Sequence, residues 1–272
     1  MNKTMTHKIA YFLFLLTFML ILGCDNWITS YGPQPDYIDE WRHRPMLNVF
    51  GVLRPDTLGP LPQSFVHLER AFPVTFHPDT LDIKDAEVVI TRFEEGTPVD
   101  SVTLEYTDMN AVFPRAEYRH SDLFPLANTT YSIVCRSEGY PELVSKTTTP
   151  AVPVLLESTV EYTQGQVSFS ILRDSLAALY EIYFILDEQP VVQRVRRPES
   201  GDVDVVFEIE DSQDREALLI IYAYDLKLSE YMTYNVNFKF NTFRSDYSTV
   251  ENGYGCFGSL NLLMKTISLT GD

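Results

Sequence analysis

The chain has 272 residues, a formal net charge of −17 at pH 7, 45% hydrophobic residues and 13% aromatic residues. Such an acidic surface repels nucleic-acid phosphates and anionic lipid headgroups, so we exclude nucleic acid as a partner. The hydrophobic fraction is sufficient for a real core, and the length favours two domains.

The first 24 residues have the pattern of a bacterial lipoprotein signal. Lys3 and Lys8 precede an apolar run over residues 9–23, which is too short to span a membrane and has the length of a secretion signal. The run ends in Ile21-Leu22-Gly23-Cys24. This pattern is called a lipobox: the cysteine receives diacylglycerol and the preceding residues are cut off. We therefore predict a signal peptide at residues 1–23 and lipidation of Cys24.

A lipid at Cys24 would hold the mature chain on a membrane. Two or more acyl chains anchor a protein almost permanently, because each buried methylene contributes about 0.8 kcal/mol. Loss of residues 1–23 removes two lysines and no acids, so the mature chain carries a formal charge of −19. The alternatives are a cleaved secretory signal with an incidental cysteine, and an uncleaved anchor.

Residues 24–46 are predicted to be a lipidated tether. The segment is rich in proline, glycine, tyrosine and acidic residues, as in residues 31–36, which suits an extended spacer better than a packed element. Its aromatic side chains either rest at the headgroup level, dock on a partner or pack on the first domain.

Residues 47–150 are predicted to form an immunoglobulin-like β-sandwich. Short segments of alternating apolar and polar residues are divided by turn residues, and no helical period lies between them. Tyr131 stands at the mouth of a late strand, where it can form the hydroxyl-to-backbone corner typical of such sandwiches. The predicted strands are residues 47–53, 64–72, 86–93, 100–106, 131–136 and 143–149.

Residues 151–272 are predicted to form a second β domain, beyond a boundary marked by Pro150 and Pro153. One helix is predicted at about residues 229–241, with Ser229 as its N-cap. The predicted strands are residues 167–171, 180–186, 191–195, 203–209, 218–224 and 260–269. The predicted fold class is thus all-β, with two β-sandwich-like domains and one short helix near the C-terminus.

Residues 252–258 contain the letters of the dinucleotide-binding fingerprint G-x-G-x-x-G. That fingerprint needs a following helix and an acidic residue about 20 positions later, and too few residues follow Gly258 for either. We therefore predict a glycine loop, with positive φ angles or close backbone packing, and no cofactor.

No residue pattern indicates catalysis or a metal centre. The histidines form no H-x-H pair and no pair four residues apart, and there is no G-x-S-x-G elbow. Acidic groups such as Asp79, Asp82 and Asp85 lack the D-x-D-x-D-G order of a calcium loop. A solvated acidic edge is therefore favoured, and bound calcium is left open.

Two further sets of residues have alternative interpretations. Arg194, Arg196 and Arg197 form the one basic cluster, interpreted as a solvated strand edge or as a contact for an anionic ligand or an acidic partner surface. Cys135 and Cys256 are interpreted as buried thiols or as a disulfide formed in an oxidising compartment.

Six motifs together resemble one family. They are the lipobox, residues 47–56, residues 86–88, residues 139–141, residues 147–150 and residues 252–258. The family is a Bacteroidota-type group of outer-membrane lipoproteins of unknown function, and the resemblance covers nearly all of the mature chain. It implies an immunoglobulin-like domain, then a β domain with a tyrosine-rich helix, matched here by Tyr231 and Tyr234. Cys256 stands where the family usually has an aliphatic residue, which favours a buried hydrophobic role.

The resemblance implies no catalytic residues and an accessory role, because such lipoproteins are often encoded beside TonB-dependent receptors. We expect a non-catalytic binding or accessory component of a TonB-dependent uptake system, lipid-anchored to the outer membrane at Cys24, whose partner is that receptor or another envelope protein. The alternatives are a surface adhesin or structural cell-envelope module, and a hydrolase of glycans or peptides. A glycan hydrolase would need two carboxylates about 5–10 Å apart in a cleft.

Overall fold

The computed structural model describes residues 45–55, 64–71, 81–108, 116–163, 165–209, 215–236 and 248–269. Fourteen strands and one helix lie in these residues, so the predicted all-β class is confirmed. No helix in this part of the chain is long and apolar enough to cross a membrane. The strands form two sandwiches, and one long strand takes part in both.

The first sandwich has seven strands. They are β1 (Leu47–Leu53), β2 (Phe65–Arg70), β3 (Glu87–Glu94), β4 (Thr97–Thr107), β5 (Glu117–Arg119), β6 (Thr130–Arg136) and β7 (Leu143–Thr148). One layer consists of β1, β2 and β5, and the other of β4, β3, β6 and β7. The long β4 joins them, because it pairs first with β3 and then with β5. This is the predicted immunoglobulin-like arrangement.

Alternate residues of these strands meet in one core. On β2, Val66 and Leu68 are buried while His67 and Glu69 are half-buried on the opposite face. The same period of two places Tyr131, Ile133 and Cys135 of β6 in that core. Each fully buried apolar side chain contributes roughly 1.5–3 kcal/mol, so this alternation is the main source of the domain's stability.

Tyr131 forms the predicted corner. Its hydroxyl accepts a hydrogen bond of 2.8 Å from the backbone N–H of Leu126, five residues upstream. The hydroxyl of Thr149 donates to the carbonyl of Leu126 at 2.6 Å, which fixes the same turn against the end of β7. Both the backbone N–H and the backbone carbonyl of Leu126, in the loop before β6, are therefore hydrogen-bonded.

The second sandwich repeats the topology of the first. Its strands are β8 (Leu155–Thr163), β9 (Gln166–Ile171), β10 (Leu179–Leu186), β11 (Gln189–Arg196), β12 (Val203–Glu208), β13 (Arg215–Tyr224) and β14 (Gly253–Leu269). In both sandwiches the first, second and fifth strands form one layer, and the fourth, third, sixth and seventh form the other. Phe207 of β12 stacks on Phe169 of β9 and on Phe184 of β10, so aromatic packing joins the two layers.

Strand β14 belongs to both sandwiches. Its first part, residues 253–259, runs parallel to β1, and residues 260–269 pair antiparallel with β13. Just before it, Glu251 makes two backbone hydrogen bonds with Val144 of β7, at 2.8 and 3.2 Å. The predicted boundary after residue 150 therefore divides the two hydrophobic cores, except that β14 contributes Phe257 to the first. It does not divide the 11-stranded sheet, which continues through β14 from one sandwich to the other. Residues 253–259, predicted to lie in the second domain, extend the first sandwich instead.

The prediction of a glycine loop at residues 252–258 is wrong, because β14 begins at Gly253. The glycines serve close packing within a strand. Gly255 has φ +97°, and a Cβ there would collide with the carbonyl oxygen of Val49 on β1. At Gly258 a Cβ would lie 2.7 Å from the Cβ of Leu228 and 2.9 Å from Asp225 Oδ1. The final strand was predicted at residues 260–269 and begins seven residues earlier, at Gly253.

The helix, α1, spans Leu226–Val236 and so begins three residues before the predicted start. Its N-cap is Asp225 and not Ser229, because Asp225 Oδ1 accepts a 2.8 Å hydrogen bond from the N–H of Leu228. The hydroxyl of Ser229 donates instead to the carbonyl of Leu226 within the first turn. Residues 237–241 of the predicted helix lie outside the described residues.

Candidate functional site

The predicted lipidation site lies outside the described residues. Cys24 and residues 24–44 of the tether precede Pro45, with which the described chain begins. Tyr231, which the family resemblance placed in a tyrosine-rich helix, does lie in α1, and its ring centroid is 5.6 Å from that of Phe50 on β1. Tyr231 thus packs the helix onto the first sandwich.

A buried carboxylate joins the two sandwiches. The hydroxyl of Thr147, on β7, donates to Asp225 Oδ2, and the backbone N–H of Asp225 donates to the carbonyl of Ser259 on β14 at 3.0 Å. Burial raises the pKa of Asp225 to about 6, while hydrogen bonds from Thr147, Leu228 and Ser259 act in the opposite direction. This carboxylate has its hydrogen-bond donors in place, so we assign it a structural role at the junction.

Lys227 extends the same junction. Its ammonium donates at 3.0 Å both to the hydroxyl of Ser145 on β7 and to the carbonyl of Thr249. The Ser145 hydroxyl also donates to the Thr249 carbonyl, and the Asn261 amide donates to the carbonyl of Pro150 at 3.2 Å. Buried polar groups at the junction are thus paired by hydrogen bonds between the two sandwiches, at the place where the sheet continues from one sandwich to the other.

A second cluster has the composition of a ligand site. His67, Glu69 and Asp82 each offer one ligand atom, and the three atoms lie within 4.8 Å of one another. His67 Nε2 is 2.8 Å from Glu69 Oε1 and 3.9 Å from Asp82 Oδ1. All three side chains are between 28% and 37% exposed, so solutes can reach them. The hydrogen bond between His67 and Glu69 raises the pKa of the imidazole and lowers the pKa of the carboxyl.

Strand geometry brings the cluster together. His67 and Glu69 are two residues apart on β2 and so share its outer face. Asp82 forms an antiparallel bridge with Glu69 from one side, and Asn48 of β1 lies opposite Glu69 on the other. The cluster therefore occupies one face of three neighbouring backbone segments.

Sequence reasoning missed this cluster. Local metal-binding motifs contain two histidines at a fixed spacing, whereas here a single H-x-E pair on one strand meets a carboxylate 13 residues further on. The alternation of Val66, His67, Leu68 and Glu69 does place His67 and Glu69 on the same face. Only the pairing of β2 with residue 82 adds the third group, and no local pattern shows that pairing.

The arginine cluster does not converge on a site. Arg194 donates to Glu181 at 2.9 Å, and this buried carboxylate also accepts hydrogen bonds from the hydroxyls of Tyr183 and Tyr224. Arg197 donates instead to the backbone carbonyl of Ser175. β11 is an edge strand of its sheet, so Pro190 and the arginines fit a protected strand edge better than an anion site.

Both remaining cysteines are free and buried. Cys135 lies in the core of the first sandwich, and Cys256 packs under α1 with Val52 and Leu228. Burial raises the pKa of each thiol to about 12, so both are unreactive in the folded protein. The buried-thiol interpretation is therefore confirmed.

Two acidic side chains near the start of β12 accept hydrogen bonds from neighbouring segments. Asp204 accepts a hydrogen bond from the Ser170 hydroxyl at 2.7 Å, and Asp202 accepts one from the N–H of Arg173 at 3.2 Å. Asp79 lies outside the described residues. Of Asp82 and Asp85, which lie in the described part of the chain, Asp82 joins the cluster around His67.

No family model matches the chain, and no curated protein matches it. Among solved structures, the chicken CNTN1 FN1–FN3 domains have 11% identity and a TM-score of 0.33, covering 84% of this chain and 67% of that one. The chicken interferon gamma receptor alpha chain has 7% identity and a TM-score of 0.21, with coverages of 65% and 87%. Similarities this low carry no information about function.

Proposed function

We propose that this protein is a lipid-anchored outer-membrane lipoprotein that acts by binding and not by catalysis, as an accessory component of a TonB-dependent uptake system. The single observation that carries the proposal is the lipobox that ends at Cys24 after a secretion-length apolar run. The resemblance to lipoproteins encoded beside TonB-dependent receptors supplies the partner.

The junction between the sandwiches supports a binding role. β14, the Thr147–Asp225 hydrogen bond and the contacts of Lys227 hold the two sandwiches together. A module fixed in this way holds its loops in one arrangement, and less conformational entropy is lost when it binds a partner.

An apolar surface at the linker between the sandwiches supports a protein partner. Five large apolar side chains there are about half exposed, and we call this surface the linker face: Phe124, Leu126, Val152, Val154 and Leu172. Thr149 bonds to the carbonyl of Leu126, and the N–H of Leu172 donates to the carbonyl of Val154, so the segments are neighbours. Exposed apolar groups of this kind mark protein-interaction sites.

The charge of the chain favours a different protein over a second copy. Two copies with formal charges of −19 each repel one another, and a partner of lower negative charge does not meet this repulsion. We therefore assign the linker face to the receptor.

Affinity purification from outer membranes in mild detergent tests the proposal. The lipidated protein should recover a TonB-dependent receptor, and Val152→Asp should reduce that recovery at least fivefold. Val191→Asp is the matched control, because Val191 is exposed to a similar degree and lies on the edge strand β11, outside the linker face. Recovery of a cell-envelope polymer in place of a receptor would favour the adhesin or structural alternative. Equal recovery by both variants would contradict the role of the linker face.

A further inference from the structure

We infer that His67, Glu69 and Asp82 bind a divalent transition-metal ion, for which Zn²⁺ is the probe. This site is independent of the proposed receptor contact, because it lies on the outer face of β2 and includes no residue of the linker face.

The imidazole is oriented as a ligand. His67 Nδ1 lies 3.2 Å from the backbone carbonyl oxygen of Ala116, just before β5. A carbonyl only accepts hydrogen bonds, so Nδ1 carries a proton and Nε2 is the atom that faces Glu69 and Asp82. Histidines that bind metals are commonly held in this way, with the other ring nitrogen donating to a backbone carbonyl.

The carboxylates are positioned by the sheet. Glu69 Oε1 approaches His67 Nε2, while the Asn48 amide on β1 donates to Glu69 Oε2 at 3.5 Å. Asp82 is held opposite Glu69 by the bridge between their backbones, which the hydrogen bond from Ile83 N to the Leu68 carbonyl supports at 3.0 Å. Two of the ligands thus lie on β2, and the third lies on the segment that is bridged to it.

The ligand types favour a transition metal over calcium or magnesium. Calcium and magnesium take oxygen ligands, whereas imidazole suits zinc and related ions. Three protein ligands of nitrogen and oxygen leave a fourth position for water, as in open zinc sites. Two carboxylates and a neutral imidazole also balance the double charge of the ion.

An ion pair between His67 and Glu69 is the competing explanation. It needs a protonated imidazole and one carboxylate, and it gives Asp82, 3.9 Å from His67 Nε2, only a minor role. A metal site instead needs all three groups. Asp82→Asn therefore separates the two explanations.

Calorimetric titration of the full lipidated protein in detergent micelles, after treatment with a chelator, tests the inference. Zn²⁺ should bind, and His67→Gln and Asp82→Asn should each weaken that binding at least tenfold. His120→Gln is the matched control, because His120 lies in a loop where its ring accepts a hydrogen bond from the N–H of Asp122. That variant should bind as the parent does.

A second readout covers any variant that folds poorly. Zn²⁺ in excess should raise the unfolding temperature of the parent and of His120→Gln, because an ion that binds only the folded state stabilises it. It should not raise that of Asp82→Asn, whose altered side chain is more than a third exposed and whose fold should persist. Absence of Zn²⁺ binding by the parent, or parental affinity in both cluster variants, would overturn the inference.

Discussion

The hydroxyl of Thr147 donates a hydrogen bond to Asp225 Oδ2, although the two residues are 78 positions apart in the chain. Thr147 is buried near the end of β7, the last strand of the first sandwich. Asp225 is the N-cap of α1, the helix that follows β13 of the second sandwich. One carboxylate thereby caps α1 and joins the two sandwiches.

Replacing Asp225 should destabilise the whole described body. Asp225→Ala removes the N-cap of α1 and leaves the buried Thr147 hydroxyl without its acceptor, so we expect a loss of about 2–3 kcal/mol in the free energy of unfolding. Denaturant unfolding measures this loss. Asp122→Ala, at an exposed loop position, should change stability by less than about 0.5 kcal/mol. Equal losses in the two variants would refute the role of the junction.

Asp225 should also make stability depend on pH. Burial raises its pKa from 3.8 to about 6, so the folded state holds the proton more tightly than the unfolded state does. Its contribution is therefore fully present at low pH and is lost as pH rises through 6. The change is at most about 1.4 kcal/mol for each pH unit between these two values.

Asp225→Asn lacks this titration and provides the reference. The stability of the parent relative to Asp225→Asn should increase as pH falls from 7 to 4, because all other titrating groups are common to both proteins. Unfolding curves at several pH values measure the difference. A difference that stays constant, or that shrinks toward low pH, would show that the pKa of Asp225 is not raised.

Gly258 should be intolerant of any side chain. Gly258→Ala places a methyl group 2.7 Å from the Leu228 Cβ and 2.9 Å from the helix cap Asp225, so α1 or β14 must move. We expect a loss of about 2 kcal/mol or more in unfolding free energy. Gly139→Ala serves as control, since its methyl group meets nothing within 4 Å and only its φ of +82° costs energy, about 1 kcal/mol. A milder effect at Gly258 than at Gly139 would contradict the close packing.

The thiols of Cys135 and Cys256 should be unreactive in the folded protein. A thiol reagent should find no reactive cysteine under native conditions, since Cys135 and Cys256 are buried and the pKa of each is raised to about 12. In denaturant, Cys135 and Cys256 should both react and Cys24 should not, because the sulfur of a lipidated cysteine is a thioether. Cys256→Ser should leave one. A third reactive thiol in the unfolded parent would mean that Cys24 carries no lipid.

Local patterns were enough to predict most strands. β1 was predicted at residues 47–53 and is found there, because alternation between buried and exposed faces is a property of the segment itself. β5 has only three residues, too few to show alternation, and β8 has an irregular register after Leu156 with few buried residues. Neither carries a local signal, and neither was predicted.

Relationships between distant segments were beyond sequence reasoning. The pattern of residues 260–269 predicts a strand, but nothing in it shows that residues 253–259 continue it and pair with β1. The same holds for the cluster of His67, Glu69 and Asp82, whose third member arrives through the pairing of separate segments. Glycines at 255 and 258 indicated close packing, but their partners were defined only by the fold.

Intact-mass spectrometry of the protein extracted from outer membranes tests the central claim most directly. The account predicts a chain that begins at Cys24, lacks residues 1–23 and carries the added mass of a diacylglycerol group on the cysteine sulfur. A chain that keeps residues 1–23, or one that starts near Cys24 with an unmodified thiol, would contradict the lipid anchor and the function built on it.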